Sequence, residues 1–497
     1  MSNIRVTYSG LIAISISLGS VLTGTIFTLI VTRRLTPEEF GIWSIIGSMI
    51  SYFLIAEPAI SFWTTRQIAR GEKVAKTSIL SSAIFSLGSI PIYIVLSFYV
   101  SQVSNTHFNS MLIATFLLPV SFISQTLSGI NLGHKPHATS YGLIVFESLK
   151  IPTGLILVYF LSLGVNGAII TTVVAYLGKI VIQAYFAKGE LRGKFNLHTL
   201  KRWIKLSWLP LYSNIGHILW SLDVVVYSII TKSVLGVAYY TIAVTITSVI
   251  SSAAMMSQAL YPKLLAKGSQ EHVKENFSLL MYFAVPLLGV SLIFSKPILF
   301  ALNPVYQNAT IIVIIFSFRT ILYVITNTFY QILMGMETID VENNYNYSSL
   351  AKSRIFSIPT MLNIQSGLYI CSLVIVVFLF NSNKASQIEL VTYWTIISLS
   401  LQIPFLINSY ILVKKQIKFS FPYVNTIKYV IATISFALVF FLTSHLVIDY
   451  QNNIYNFLPK VILELLICMS VYIAVTFVID KRTRTLIKSI FGELISK

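Results

Sequence analysis

A chain of 497 residues with 55% hydrophobic side chains, only 10% charged ones and a mean hydropathy of +0.78 fits no soluble class. Its 35 lysines and arginines outnumber 17 acids, an excess that could point to nucleic acid. They recur instead at the ends of apolar stretches, where anionic lipid headgroups attract them, so no nucleic-acid partner is expected.

About fourteen of those stretches are long enough to cross a bilayer, whose ~30 Å hydrocarbon core needs ~20 mostly apolar residues per helix. In chain order they cover 9–32, 40–62, 78–100, 108–130, 139–160, 164–187, 205–230, 234–259, 277–295, 308–334, 358–380, 388–412, 425–447 and 458–479. The first is too long for a signal-peptide core and lacks a small-x-small cleavage site, so it is read as the first span. No segment outside the spans is long enough to form a soluble domain of its own. Cys371 and Cys468 both lie inside apolar stretches, which leaves neither a disulfide framework nor a metal cluster. With alternating loops, 26 of the 35 basic residues fall on the side of the N-terminus, six on the other side and three within spans. The positive-inside rule then puts both termini in the cytoplasm. The expected fold is an all-α polytopic membrane protein, multi-pass in the cell (plasma) membrane.

Two links stand out. Residues 188–205, KGELRGKFNLHTLKRWIK, form a basic, partly amphipathic connection after six spans, and residues 335–357 form the most polar loop. A weak internal repeat agrees with a division at the first link. Thr32 corresponds to Thr231, and after a two-residue shortening Gly41, Trp43 and Ser44 correspond to Ala238, Tyr240 and Thr241. Leu132-Gly133 and Met334-Gly335 end the fourth and tenth spans at a similar offset. Six spans per repeat is an even number, so the copies share an orientation and their symmetry axis runs along the membrane normal. The expected organisation is an N-lobe over 1–200, a C-lobe over 201–412, and two additional helices with a basic cytoplasmic tail over 413–497. Two pseudo-symmetric six-helix lobes around a cleft are the architecture of an alternating-access transporter.

The string LIVTRRLTPEEFGIWSII after the first span resembles the R-x-L-x-P-E-E-F/Y-G-x-W/Y segment of polysaccharide flippases, a branch of the multidrug/oligosaccharidyl-lipid/polysaccharide (MOP) exporter superfamily. EPAISFWTTRQIARG at 57–71, LSWLPLYSNIGHILWSLDVVVYSIITKSVLGVAYYTIA at 206–243 and NPVYQNA at 303–309 are similar to further segments of that family. Pro58 and Ala59 stand where the family often has a glycine. The resemblance covers roughly the first 335 residues; beyond them only the number and length of helices agree. It implies two six-helix lobes, two extra helices, and export of a lipid-linked glycan from the inner to the outer leaflet.

Ionisable groups deep in a membrane are costly and mark candidate sites. Lys150, Lys179 and Arg319 are the basic ones. Arg319 lies eleven residues past Asn308, ~16 Å along a helix and close to the midplane. Its planar fork can grip a phosphate in bidentate fashion. A water-filled cleft lined by these cations would lower the cost of moving a polyprenyl phosphate or pyrophosphate headgroup through oil. Against this, Glu147 sits one turn from Lys150 and could pair with it, and Lys179 could snorkel toward the nearer surface. Arg33 and Arg34, at the outer end of the first span, are candidates for an outer gate or headgroup contact. Glu57 and Asp223 could bind H⁺ or Na⁺ and couple transport to a gradient, or could simply hold helices together. Asn214, His217 and Ser221 share a polar stripe with Pro210 and Ser213, which reads as cleft-lining. Asp223 lies off that stripe, and His217 alone supports no metal site.

No Walker loop, dinucleotide fingerprint or zinc-protease helix occurs. Neither an enzyme activity nor a cofactor is expected, and the chain is read as a monomer whose partners are a lipid-linked glycan, membrane lipids and a coupling ion. The competing readings are a cation-coupled multidrug antiporter of the same superfamily and a membrane-embedded glycan polymerase or ligase. The first should favour acids and aromatics over a basic cleft. The second usually carries a large outer loop, whereas 101–107 and 161–163 are short.

Overall fold

The computed structural model describes residues 6–257, 270–336 and 353–484, apart from single positions 105, 136, 383, 418 and 482. The polar loop at 335–357 and the basic tail therefore fall largely outside the described residues. Among those residues the chain is helical throughout, and thirteen helices are long and apolar enough to cross a membrane. The first helix, α1 (Val6–Arg34), precedes them and is itself 29 residues long.

The entry to the second crossing shows how local chemistry fixes these helices. α2 (Pro37–Phe53) opens on a reciprocal cap: the Glu39 amide donates to Thr36 Oγ1 at 3.2 Å, and the Thr36 amide donates to Glu39 Oε2 at 2.9 Å. Pro37 occupies the first turn, where its missing N–H removes no helical bond. The T-P-E-E motif thus stops one helix and starts the next. The crossing is not one continuous rod as expected from the sequence. It breaks at Leu54–Ala56 and resumes as α3 (Pro58–Ala69), because Pro58 has no N–H to continue the α2 ladder.

Similar breaks recur. α4 (Ala75–Val103) runs through Pro91, while the fourth crossing divides into α5 (Phe108–Ala114) and α6 (Leu117–His134). α7 (His137–Gly154) ends in a π-helical stretch at Leu155–Phe160 that follows Pro152, and α8 (Gly164–Ala187) returns antiparallel to it. The basic link contains a short helix, α9 (Leu197–Leu206), started by Asn196, whose Oδ1 accepts from the His198 and Thr199 amides. The seventh crossing is α10 (Trp208–Ser221) and α11 (Asp223–Thr231), jointed at Leu222. There follow α12 (Leu235–Ser251), α13 (Gln270–Ile293), α14 (Ser295–Leu302), α15 (Thr310–Gly335), α16 (Arg354–Ser382), α17 (Gln387–Gln416), α18 (Tyr423–Val447) and α19 (Ile454–Ile479).

The chain divides into two compact units, residues 22–241 with 356–397, and residues 242–355 with 398–497 and the N-terminal 1–21. In the first, Ile60, Ile68, Leu127, Ile130 and Trp203 form a buried cluster joining α3, α6 and α9. Gly133 lets α6 approach α3 closely; a Cβ there would stand 2.7 Å from the Thr65 carbonyl oxygen. In the second, the Tyr472 hydroxyl of α19 donates to the Tyr282 carbonyl of α13 at 2.7 Å, and Gln402 of α17 donates to Thr326 of α15 at 3.0 Å.

Candidate functional site

Lys150 and Lys179 lie on α7 and α8, which pack against each other within the first unit. Both side chains are half-buried. The Lys150 ammonium rests over the Phe27 ring at 4.7 Å and the Phe146 ring at 5.4 Å, held by aromatic faces. Among the described residues neither lysine takes part in a direct ion pair, although the Glu147 carboxylate, one turn away on α7, acts electrostatically on Lys150. Arg319 belongs to the second unit, on α15, where its guanidinium sits 5.0 Å from the Tyr323 ring and 5.3 Å from that of Phe316. Lys150 and Arg319 share one device, because an aromatic quadrupole stabilises positive charge without neutralising it; Lys179 has no ring beneath it among the described residues.

At the C-terminal end of α1, Arg34 stacks over Tyr159 at 3.8 Å, and Arg33 is half-buried beside it.

Glu57 is 2% exposed at the joint before α3. Its Oε2 accepts from Ser61 at 2.9 Å and its Oε1 from Thr126 of α6 at 3.2 Å, while Thr126 also lies 2.9 Å from the Ser82 hydroxyl of α4. The carboxyl thereby ties three helices together. It also lines a cavity of about 610 Å³ shared with Ser61, Arg66, Gln125, Ser128 and Thr139.

Asp223 is buried at the start of α11 in a cage of aromatic residues from four other helices. Its Oδ2 accepts from the Tyr240 hydroxyl at 2.9 Å and the Tyr369 hydroxyl at 2.7 Å, and its Oδ1 from the Val224 amide at 2.7 Å. Trp394 Nε1 donates to the Tyr369 hydroxyl at 2.5 Å, stacking on Tyr240 at 3.8 Å, while Trp220 stacks on Tyr369 at 4.0 Å. The polar stripe of α10 faces elsewhere. Gly216 packs against the backbone of Leu362 on α16, leaving His217 exposed and Asn214 and Ser221 partly so. The Ser221 carbonyl accepts from the Tyr52 hydroxyl at 2.5 Å.

Two features went unread in the sequence. The partners of Asp223 lie 17 and 146 residues away, so only the fold reveals the cage. Glu464 on α19 is wholly buried and lies 2.5 Å from the Thr443 hydroxyl. A lone acid in an apolar run was the available signal, the same one that singles out Glu57 and Asp223.

The described residues form membrane-crossing helices, one of them broken at Pro58, with cations and acids set inside the crossings. Among solved structures of like fold are the lipid II flippase MurJ in an inward closed conformation (TM-score 0.63, 15% identity, 96% of this chain and 100% of that one). A multidrug resistance MATE transporter of the MOP superfamily, facing inward, gives a TM-score of 0.61 at 14% identity, covering 82% of this chain and 98% of that one. A MOP superfamily transporter from Pyrococcus furiosus gives 0.54 at 12%, covering 82% and 95%. At these identities the likeness is one of fold. No curated protein matches the sequence. The polysaccharide biosynthesis protein family matches residues 9–267, just over half of the chain, and the chain belongs to that family. It is a multi-pass membrane protein with the MOP-superfamily fold.

Proposed function

We propose that the chain flips a lipid-linked oligosaccharide, a polyprenyl phosphate or pyrophosphate glycan, from the cytoplasmic to the outer leaflet for surface polysaccharide or glycoprotein biosynthesis. The observation that carries this reading is the state of Lys150 and Lys179. A cation inside a crossing normally acquires a carboxylate; Lys179 takes part in no ion pair among the described residues, and Lys150 rests on aromatic faces with the Glu147 carboxylate acting on it electrostatically but without a direct ion pair. Their positive charge remains available to an anion from outside the chain. Arg319, seated on aromatic faces, adds a group that cannot lose its proton. Membership of a polysaccharide biosynthesis family supports a glycan cargo.

In this reading both termini are cytoplasmic, and lobes 1–200 and 201–412 rock about the bound headgroup while 413–497 forms an addition to the transport core. Asn214, His217 and Ser221 offer hydrogen bonds to sugar hydroxyls, Arg33 and Arg34 meet the headgroup at the outer mouth, and Asp223 or Glu57 takes the coupling H⁺ or Na⁺. The test is deletion of the gene followed by analysis of both leaflets. Surface glycan should disappear while lipid-linked precursor builds up inside. Unchanged surface glycan with no precursor build-up refutes the reading.

A further inference from the structure

The link helix α9 is divided lengthwise into three sectors. At 100° per residue, Leu200 and Trp203 fall on one side. They are 8% and 1% exposed, packed into the core cluster, and Trp203 Nε1 donates to Gln67 Oε1 at 3.0 Å. A second sector holds Leu197, Ile204 and, continuing the turn through Ser207 (φ −71°, ψ −16°), Trp208. These lie within ~40° of one another on the wheel. They are 54%, 51% and 47% exposed, although nothing about a soluble surface calls for a leucine, an isoleucine and a tryptophan in one row. The third sector, directly beside it, carries Lys201, Arg202 and Lys205, all exposed.

The start of the helix is pinned: the Asn196 amide donates to Thr77 Oγ1 of α4 at 3.0 Å. Its end runs into α10, which enters the membrane. A helix so tethered has to lie at the depth where hydrocarbon gives way to headgroups. There the apolar row has acyl chains to cover it and the adjoining ammonium and guanidinium groups have phosphates to meet.

We propose that α9 is a docking face for anionic phospholipid, with Leu197, Ile204 and Trp208 seated in the acyl boundary and Lys201, Arg202 and Lys205 gripping phosphate headgroups. This assigns a lipid partner to the link itself and is independent of what the protein transports.

The full-length protein in lipid nanodiscs provides the test. Trp208 is one of six tryptophans, and its signal is isolated as the difference between wild type and Trp208→Phe. Brominated phosphatidylglycerol should quench that signal at a roughly tenfold lower mole fraction than brominated phosphatidylcholine. The triple variant Lys201→Gln, Arg202→Gln, Lys205→Gln should bring the two lipids level, whereas Lys201→Arg with Lys205→Arg keeps the preference and excludes a folding defect. High salt should weaken it in wild type. Equal quenching by the two lipids in wild type, or a preference that survives the triple substitution, overturns the proposal.

Discussion

Ser44 on α2 and Thr241 on α12 share a hydrogen bond between their hydroxyls, 2.5 Å apart. They are also the residues that correspond in the internal repeat. Gly41 stands one turn earlier, and a Cβ there would lie 2.3 Å from the Val234 carbonyl oxygen. The F-G-I-W motif is therefore a close-packing device between α2 and the start of α12. In a double-mutant cycle, Ser44→Ala and Thr241→Ala should show a coupling of about 0.6 kcal/mol by unfolding in mixed micelles, the usual worth of a hydrogen bond between membrane helices. Zero coupling would mean that the hydroxyls do not meet.

The Asp223 cage makes a second prediction. Replacing Asp223 by Ala leaves the buried hydroxyls of Tyr240 and Tyr369 without their acceptor, at a cost of about 2–3 kcal/mol. Tyr369→Phe also removes the acceptor of Trp394 Nε1 and should cost about 1–2 kcal/mol. If Asp223 carries the coupling ion as well, Asp223→Asn should keep most of the thermal stability yet abolish the dependence of flipping on a H⁺ or Na⁺ gradient. Gradient-dependent transport by Asp223→Asn would reduce Asp223 to a structural acid.

The crossings could be read from the sequence because a bilayer demands a minimum apolar length, and hydropathy reports length directly. Breaks within crossings could not. Pro58 is compatible with both a helix start and a bend, and the choice depends on Glu57, whose carboxyl is occupied by Thr126 from another helix. Lys150, Lys179 and Arg319 were legible as single residues, since any charge in an apolar run is conspicuous. What lies against them was not: Phe27 reaches Lys150 from α1, more than a hundred positions earlier in the chain. The Asp223 cage was hidden for the same reason, and Tyr369 and Trp394 look like ordinary apolar bulk until they are folded.

In the second unit, Asp480 caps α19 and accepts from the Thr483 hydroxyl at 3.1 Å, the Thr483 amide at 3.2 Å and Lys428 at 3.4 Å. Burial alone would raise its carboxyl, but these donors outweigh it and hold it below the ordinary value. A depressed acid stabilises the fold above its unfolded pKa, about 3.9, and loses that contribution as pH falls through the lower folded value. Asp480→Asn should therefore melt earlier than wild type at neutral pH, with the two curves converging below about pH 4. A constant gap down to strong acid would show that the charge on Asp480 is irrelevant.

The three membrane cations give the sharpest prediction, because charge and shape can be varied separately. If Arg319 binds a phosphate, Arg319→Ala should abolish surface glycan at normal protein abundance, and Arg319→Lys should retain part of it, since an ammonium keeps the charge but not the bidentate fork. Lys150→Arg and Lys179→Arg should be tolerated better than Lys150→Gln and Lys179→Gln, each of which should lower flipping roughly tenfold, the equivalent of one charge-assisted hydrogen bond of about 1.4 kcal/mol. A merely structural Lys150 would behave differently. Its contact is a cation above Phe27 and Phe146, so Lys150→Met, which keeps the apolar bulk against those rings, would preserve both fold and flipping. Measuring lipid-linked precursor in the inner leaflet alongside protein abundance separates the outcomes. Precursor build-up in Lys150→Met with undiminished protein assigns the charge to the cargo, and export at the wild-type rate assigns it to the helix packing.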